Sequence, residues 1–178
     1  MTTLPDDMEK YGVEASGRAA VLARRNGVNV YHGAFVEGLY PESFFSAVTA
    51  FAIIEHLIDP AAFLREVRRL LCHNGVLAIM TGDPSSFRAR FLGLKWALYT
   101  PPAHQFFFPA QSLDMRLRQL NLIKVRHFYS AGGMVGTSIP FLKLTLKSIY
   151  AAMEFLPWMN RIPIFDHYYS YYRLNKAG

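Results

Sequence analysis

The chain has 178 residues, 52% of them hydrophobic and 15% aromatic, with a formal net charge of +6. That length and apolar content suit one domain with a substantial core and exclude a disordered chain. One cysteine, Cys72, excludes an internal disulfide and fits a reducing, cytoplasmic setting.

The opening residues MTTLPDDMEK contain no apolar core of a signal peptide, and no apolar run reaches the roughly 18 to 20 residues of a spanning helix. The basic residues are scattered, so a solvated surface explains them and nucleic-acid binding is not expected. Tyr11-Gly12-Val13 reads as a short strand closed by the acid Glu14. Ser16 is placed to cap a helix over residues 17–26, with Ala19, Ala20, Leu22 and Ala23 inward, and Asn26-Gly27 to stop it. Residues 28–31 form a further strand, and residues 33–42 a loop.

The centre of the chain is FFSAVTAFAIIEHLIDPAAFLREVRRLLCHNGVLAIMTGD, residues 44–83. Residues 47–54 are almost unbroken in apolar character, the pattern of a strand buried on both faces. Asp59-Pro60 supplies an N-cap followed by proline at the first helical position. Phe63, Leu64, Val67, Leu70 and Leu71 then recur at helical spacing, and Asn74-Gly75 reads as the helix stop. Residues 76–80 form a second apolar strand. Two buried strands joined through one helix are parallel, with a right-handed crossover. Ligands in such sheets sit beyond the carboxyl ends of the strands. Glu55 and His56 lie there after the first strand, and Thr81, Gly82 and Asp83 after the second.

Further on, residues 84–96 read as a helix with a basic face, broken at Thr100-Pro101-Pro102-Ala103-His104. Residues 110–120 read as a helix and 122–128 as a strand. Residues 140–159 form a long apolar and amphipathic helix, and 167–175 a tyrosine-rich closing strand. The 138–160 stretch has three readings: a core-covering helix, a lid over substrate, or a helix lying in a membrane interface with Lys143, Lys147, Trp158 and Arg161 at its margin. The whole is one α/β domain, residues 1–130 its core and 131–178 an apolar helix and closing strand.

Several segments in order carry a resemblance: Tyr-Gly-Val-Glu-Ala-Ser at 11–16, Ile-Ile-Glu-His-Leu at 53–57, Asp59-Pro60, Phe-Leu-Arg-Glu-Val-Arg-Arg-Leu-Leu at 63–71, Thr81-Gly82-Asp83 with Ser86, Leu92-Gly93, Trp96, and Pro-Pro-Ala-His at 101–104. Together they resemble class I S-adenosylmethionine-dependent methyltransferases, and within them the small-molecule enzymes related to ubiquinone biosynthesis. The resemblance implies a Rossmann-like sheet flanked by helices, S-adenosylmethionine as cofactor and a small-molecule methyl acceptor. By resemblance Glu14 would accept hydrogen bonds from the ribose hydroxyls, Gly33, Ala34 and Phe35 would lie at the adenine, and Phe51 and Ala52 along the methionine part. His56 and His104 would be candidate general bases toward the acceptor. No metal ligands are assigned.

The chain departs from the family at its start. The usual first strand and its Gly-x-Gly-x-Gly loop are absent, Cys72-His73-Asn74 replaces Lys-Pro-Gly, Ser46 replaces an acid, and Ala52 stands where many relatives carry one. The expectation is therefore a sheet lacking its first strand, open to completion by a second chain. Two functions follow: a methyltransferase acting on a small, apolar or lipid-like nucleophile and shortened in this chain, or a non-catalytic remnant or partner subunit. The missing loop favours the second for the chain as it stands.

Overall fold

The computed structural model describes residues 8–130, 163 and 165–175. The chain divides into two compact units, Met1–Leu39 and Tyr40–Gly178. Their described strands form two sheets, of two and of four strands. The predicted 140–159 helix, and the lid and membrane readings of 138–160, lie outside the described residues.

In the first unit β1 (Tyr11–Glu14) pairs in parallel with β2 (Asn29–His32), in the register Glu14 to His32. Between them runs α1 (Gly17–Arg25), whose N-cap is Ser16 as the sequence suggests, its Oγ accepting from the Ala19 N–H at 3.5 Å. Asn26 closes the helix, donating its side-chain amide to the Leu22 carbonyl, and Gly27 takes φ +77. The expected inward face is narrower than predicted. Ala20 is buried, whereas Ala19 is exposed and Leu22 is 61% exposed. A two-stranded sheet offers too little apolar surface to cover a whole helix stripe.

In the second unit the strand order is β3 (Phe45–Phe51), β4 (Leu71–Gly82), β6 (His167–Leu174), β5 (Leu122–Ser130). β3 and β4 are parallel, and β6 runs antiparallel to both β4 and β5. The predicted crossover is present: α2 (Pro60–Leu70) starts at Asp59, whose Oδ1 accepts from the Ala62 N–H at 2.8 Å. The core joins Leu64 and Val67 of α2, Leu113 and Leu117 of α4 (Ala110–Gln119), and Leu77, Ile79, Leu122, Tyr168, Tyr172 and Leu174 of the sheet. β6 shows the period of two that places one face on this core. Tyr168, Ser170, Tyr172 and Leu174 are buried, while Tyr169 and Tyr171 project to the other face. There Phe128 stacks on Tyr169 at 5.1 Å between ring centroids, and Phe51 meets Tyr169 edge-on at 5.9 Å.

Three predicted boundaries move, each for a local reason. β3 is not buried on both faces: it lies at the edge of its sheet, and Phe51 is 44% exposed. It also ends at Phe51, because Ala52 turns to φ +52 and a 3-10 turn, Ile54–His56, follows. Asn74 does take the left-handed conformation (φ +61), but α2 has already ended at Leu70. The Asn-Gly pair instead forms a bulge within β4, where the partners of Phe45 and Ala47 are Leu71 and Val76. The predicted 84–96 helix shrinks to α3 (Phe87–Leu92), since Ser86 caps it through the Ala89 N–H and Gly93 at φ +53 ends it before a 3-10 turn, Gly93–Lys95.

Candidate functional site

Each unit gathers polar groups at the carboxyl ends of its parallel strands. In the first, the Gly33 N–H donates to the Glu14 carbonyl at 3.0 Å, setting the loop 33–35 beside the end of β1. Glu14 Oε1 accepts from the Ser16 N–H at 2.7 Å. Among the described residues Oε2 accepts no hydrogen bond, so one carboxylate oxygen is available to a ligand hydroxyl. The chain approaches itself closely here: a Cβ on Gly33 would come within 2.8 Å of the Tyr31 ring.

In the second unit the Ala52 N–H is held by the Met80 carbonyl at 2.9 Å, and the turn after it presents Glu55 and His56. His56 Nδ1 donates to the Ala103 carbonyl at 2.8 Å, and His104 Nδ1 to the Leu98 carbonyl at 2.6 Å. A carbonyl can only accept, so Nδ1 carries the proton on both neutral rings and Nε2 is left with its lone pair. The rings meet edge-on with centroids 4.7 Å apart. The N–H groups of Gln105 and Phe106 both donate to the Glu55 carbonyl, at 2.9 and 3.3 Å, tying the segment that carries His104 to the turn that carries His56. Glu55 is buried, and its Oε2 accepts from Thr81 Oγ1 at 2.8 Å. Beside His104 stand Phe107 at 6.4 Å, Tyr99 stacked on Phe107 at 5.6 Å, and Trp96 at 5.8 Å from Phe107.

Behind this edge lie two fully buried carboxylates. Asp83 accepts from the Ser85 N–H and hydroxyl and, at 2.9 Å, from the Tyr129 hydroxyl, while its own N–H donates to the Asp166 carbonyl. Burial and that bond to Asp83 push the Tyr129 hydroxyl well above the ordinary phenol range. Asp166 accepts from Trp96 Nε1 at 2.9 Å and from His167 Nδ1 at 3.1 Å, and pairs with Arg88 at 3.4 Å. Burial alone would raise its pKa, but these hydrogen bonds and the Arg88 charge outweigh it and hold the carboxyl below its usual value.

The sequence thus located Glu14 and the 33–35 loop at one strand edge, and Phe51, Ala52, His56 and His104 at another. It also expected His104 to reach over the same edge as Glu55 and His56, as the backbone bonds from Gln105 and Phe106 to Glu55 bring about, but it gave Glu55 no role of its own. Tyr129 and Asp166 left no signal, because each is brought to Asp83 by pairing with β6. An open depression of about 620 Å³ along α1, lined by residues including Arg18, Val21, Leu22 and Arg25, contains none of the predicted site residues.

Comparison with known proteins completes the assignment of class. The fold is similar to that of an S-adenosylmethionine-dependent methyltransferase from Thermotoga maritima (TM-score 0.64, 21% identity, 92% of this chain and 72% of that one). It is also similar to one from Mesorhizobium loti (0.60, 14%, 93% and 80%). The [4+2]-cyclase SpnF is a further likeness (0.61, 13%, 94% and 66%), which warns that the fold does not by itself fix the reaction. No curated protein matches the chain in sequence. The architecture is the Rossmann-like fold of class I methyltransferases.

A sequence profile described as a methyltransferase domain matches residues 6–127, and the chain belongs to that family. It is accordingly an enzyme, a methyltransferase whose cofactor is S-adenosylmethionine. Among the described residues, no helix is long and apolar enough to cross a membrane.

Proposed function

We propose that the chain methylates a small, flat and apolar acceptor, with Glu14, Gly33, Ala34, Phe35, Phe51 and Ala52 serving the cofactor and His56 and His104 serving the acceptor. The observation that carries this reading is the pair of imidazoles whose Nδ1 protons are committed to backbone carbonyls. Their tautomer is fixed, so each keeps an Nε2 able to take the proton an acceptor loses. The aromatic group Trp96, Tyr99 and Phe107 beside His104 suits an apolar ring or chain.

The donor set fits the cofactor. Glu14 keeps one carboxylate oxygen for a ribose diol, where hydrogen bonds to a charged acceptor are strong, and Phe35 offers an aromatic face to adenine. When bound, the cofactor supplies an electrophilic methyl group on a sulfonium. The protein's part is to hold the acceptor in line and to accept its proton, and alignment contributes more than the base.

Calorimetry of the full chain with S-adenosylhomocysteine tests the cofactor half. Binding is expected, and Glu14→Gln should weaken it by about 10- to 100-fold, the equivalent of about 1.5–3 kcal/mol for a charge-assisted hydrogen bond. Absence of heat at millimolar ligand would overturn the reading.

A further inference from the structure

We infer that Glu55, His56 and His104 form a binding site for one borderline divalent cation of the zinc class. One donor atom from each lies within 4.8 Å of the others. Two imidazoles and a carboxylate make a three-ligand set of the kind zinc accepts while leaving its fourth position open.

Three features separate this trio from a chance encounter of polar side chains. Both rings are already the tautomer a metal needs, with Nδ1–H bound to the Ala103 and Leu98 carbonyls and Nε2 free to ligate. The carboxylate is oriented too, because Thr81 donates to Glu55 Oε2 and leaves Oε1 for the ion. Each ligand therefore has an outer partner, which is the arrangement that fixes direction and basicity in metal sites. Finally, the backbone bonds from Gln105 and Phe106 to Glu55 lock the two ligand-bearing segments together.

The fit is also metrically reasonable. Ligands about 2.0–2.1 Å from a tetrahedral zinc stand about 3.3 Å apart. One nitrogen of each ring and one carboxylate oxygen lie within 4.8 Å of one another, so side-chain torsions have to draw the three ligands together around an ion. Neutral imidazoles and one carboxylate also leave a positive charge on the bound ion, so a neutral or anionic oxygen is the natural fourth ligand. With the ion in place the two Nε2 lone pairs are occupied. The inference rests on the acceptor side of the proposed function and deepens it. The metal-free rings act as bases, and with an ion bound the same deprotonation would be helped by the ion, which lowers the pKa of an oxygen it holds. The cofactor side is untouched.

The test uses tag-free full-length chain stripped with chelator, titrated with Co²⁺ and, in competition with a chromophoric chelator, with Zn²⁺. One equivalent of each should bind, Co²⁺ giving the visible ligand-field bands of a four-coordinate nitrogen and oxygen site. His104→Gln and Glu55→Gln should each weaken Zn²⁺ by more than about 100-fold, since loss of an outer partner alone costs about 10- to 100-fold. Cys72→Ser should change nothing, because Cys72 lies at the opposite end of β4 from Thr81. In the unsubstituted chain, imidazole ¹⁵N spectra should show Zn²⁺ shifting two of the six histidines, and this reading needs no variant to fold. The site is overturned if neither metal binds, if binding survives His104→Gln, if Cys72→Ser abolishes it, or if the shifted rings are not His56 and His104. S-adenosylhomocysteine binding is measured on a different ligand, so its failure and that of the metal site are told apart.

Discussion

At the scale of single residues, the carboxyl edge of β4 depends on how buried acids are satisfied. Asp166 is 2% exposed and its Oδ2 is met by the Trp96 indole N–H. A buried charge stripped of a donor loses more than an exposed one, because water cannot replace the bond. Trp96→Phe keeps an aromatic ring of lesser volume but removes that donor. It should lower stability by about 1–3 kcal/mol, read as a lower urea midpoint with an unchanged slope. An unchanged midpoint would mean that Arg88 and His167 suffice. Sequence reasoning registered Trp96 only as part of a family pattern; its role became visible once Asp166, seventy positions away, was placed beside it.

At the scale of elements, the bulge in β4 shows how a correct local reading can have the wrong consequence. Asn-Gly at 74–75 signals a left-handed residue, and Asn74 is left-handed. The signal does not say whether the turn ends a helix or kinks a strand. Here α2 stops four residues earlier, at Leu70, and Leu71 already pairs with Phe45. Gly75 is required by proximity: a Cβ would stand 2.9 Å from the Cys72 carbonyl oxygen and 3.1 Å from Leu71 Cδ2. Backbone cannot swing aside as a side chain can. Gly75→Ala should therefore destabilise the protein by about 1–3 kcal/mol, measured by chemical denaturation, whereas alanine at Gly38 would meet no atom within 4 Å and be opposed only by its positive φ. The elements with strong caps or clear periodicity were legible, as α2 and β6 attest. β3 was misread because an apolar run looks the same at a sheet's edge as at its centre.

At the scale of the whole molecule, titration of buried groups sets the acid limit. His127 packs against Tyr129 and Tyr168 and bonds Ser170 Oγ. Burial, and then the charge of Lys124, lower its pKa from 6.5, while Asp83 and Asp114 pull the other way. As pH falls below about 6.5 the unfolded chain binds a proton that the folded chain refuses, so stability is full above that pH and declines below it. Asp166, with its depressed pKa, adds stability that is lost lower still, as acid overtakes the folded carboxyl. The melting temperature should therefore drop between about pH 7 and pH 5, and His127→Phe should flatten that first decline while leaving the second. A profile as steep in the variant as in the parent would remove His127 from the explanation.

The order of strands has a consequence for synthesis. β5 and β4 are not neighbours; β6, made some forty residues after β5, lies between them. While the ribosome adds those residues, β5 presents an unsealed flank, and neither α4 nor β4 can close it. An open strand flank is the feature most prone to mispairing, so chaperone demand during elongation should concentrate in the interval before Leu174 emerges.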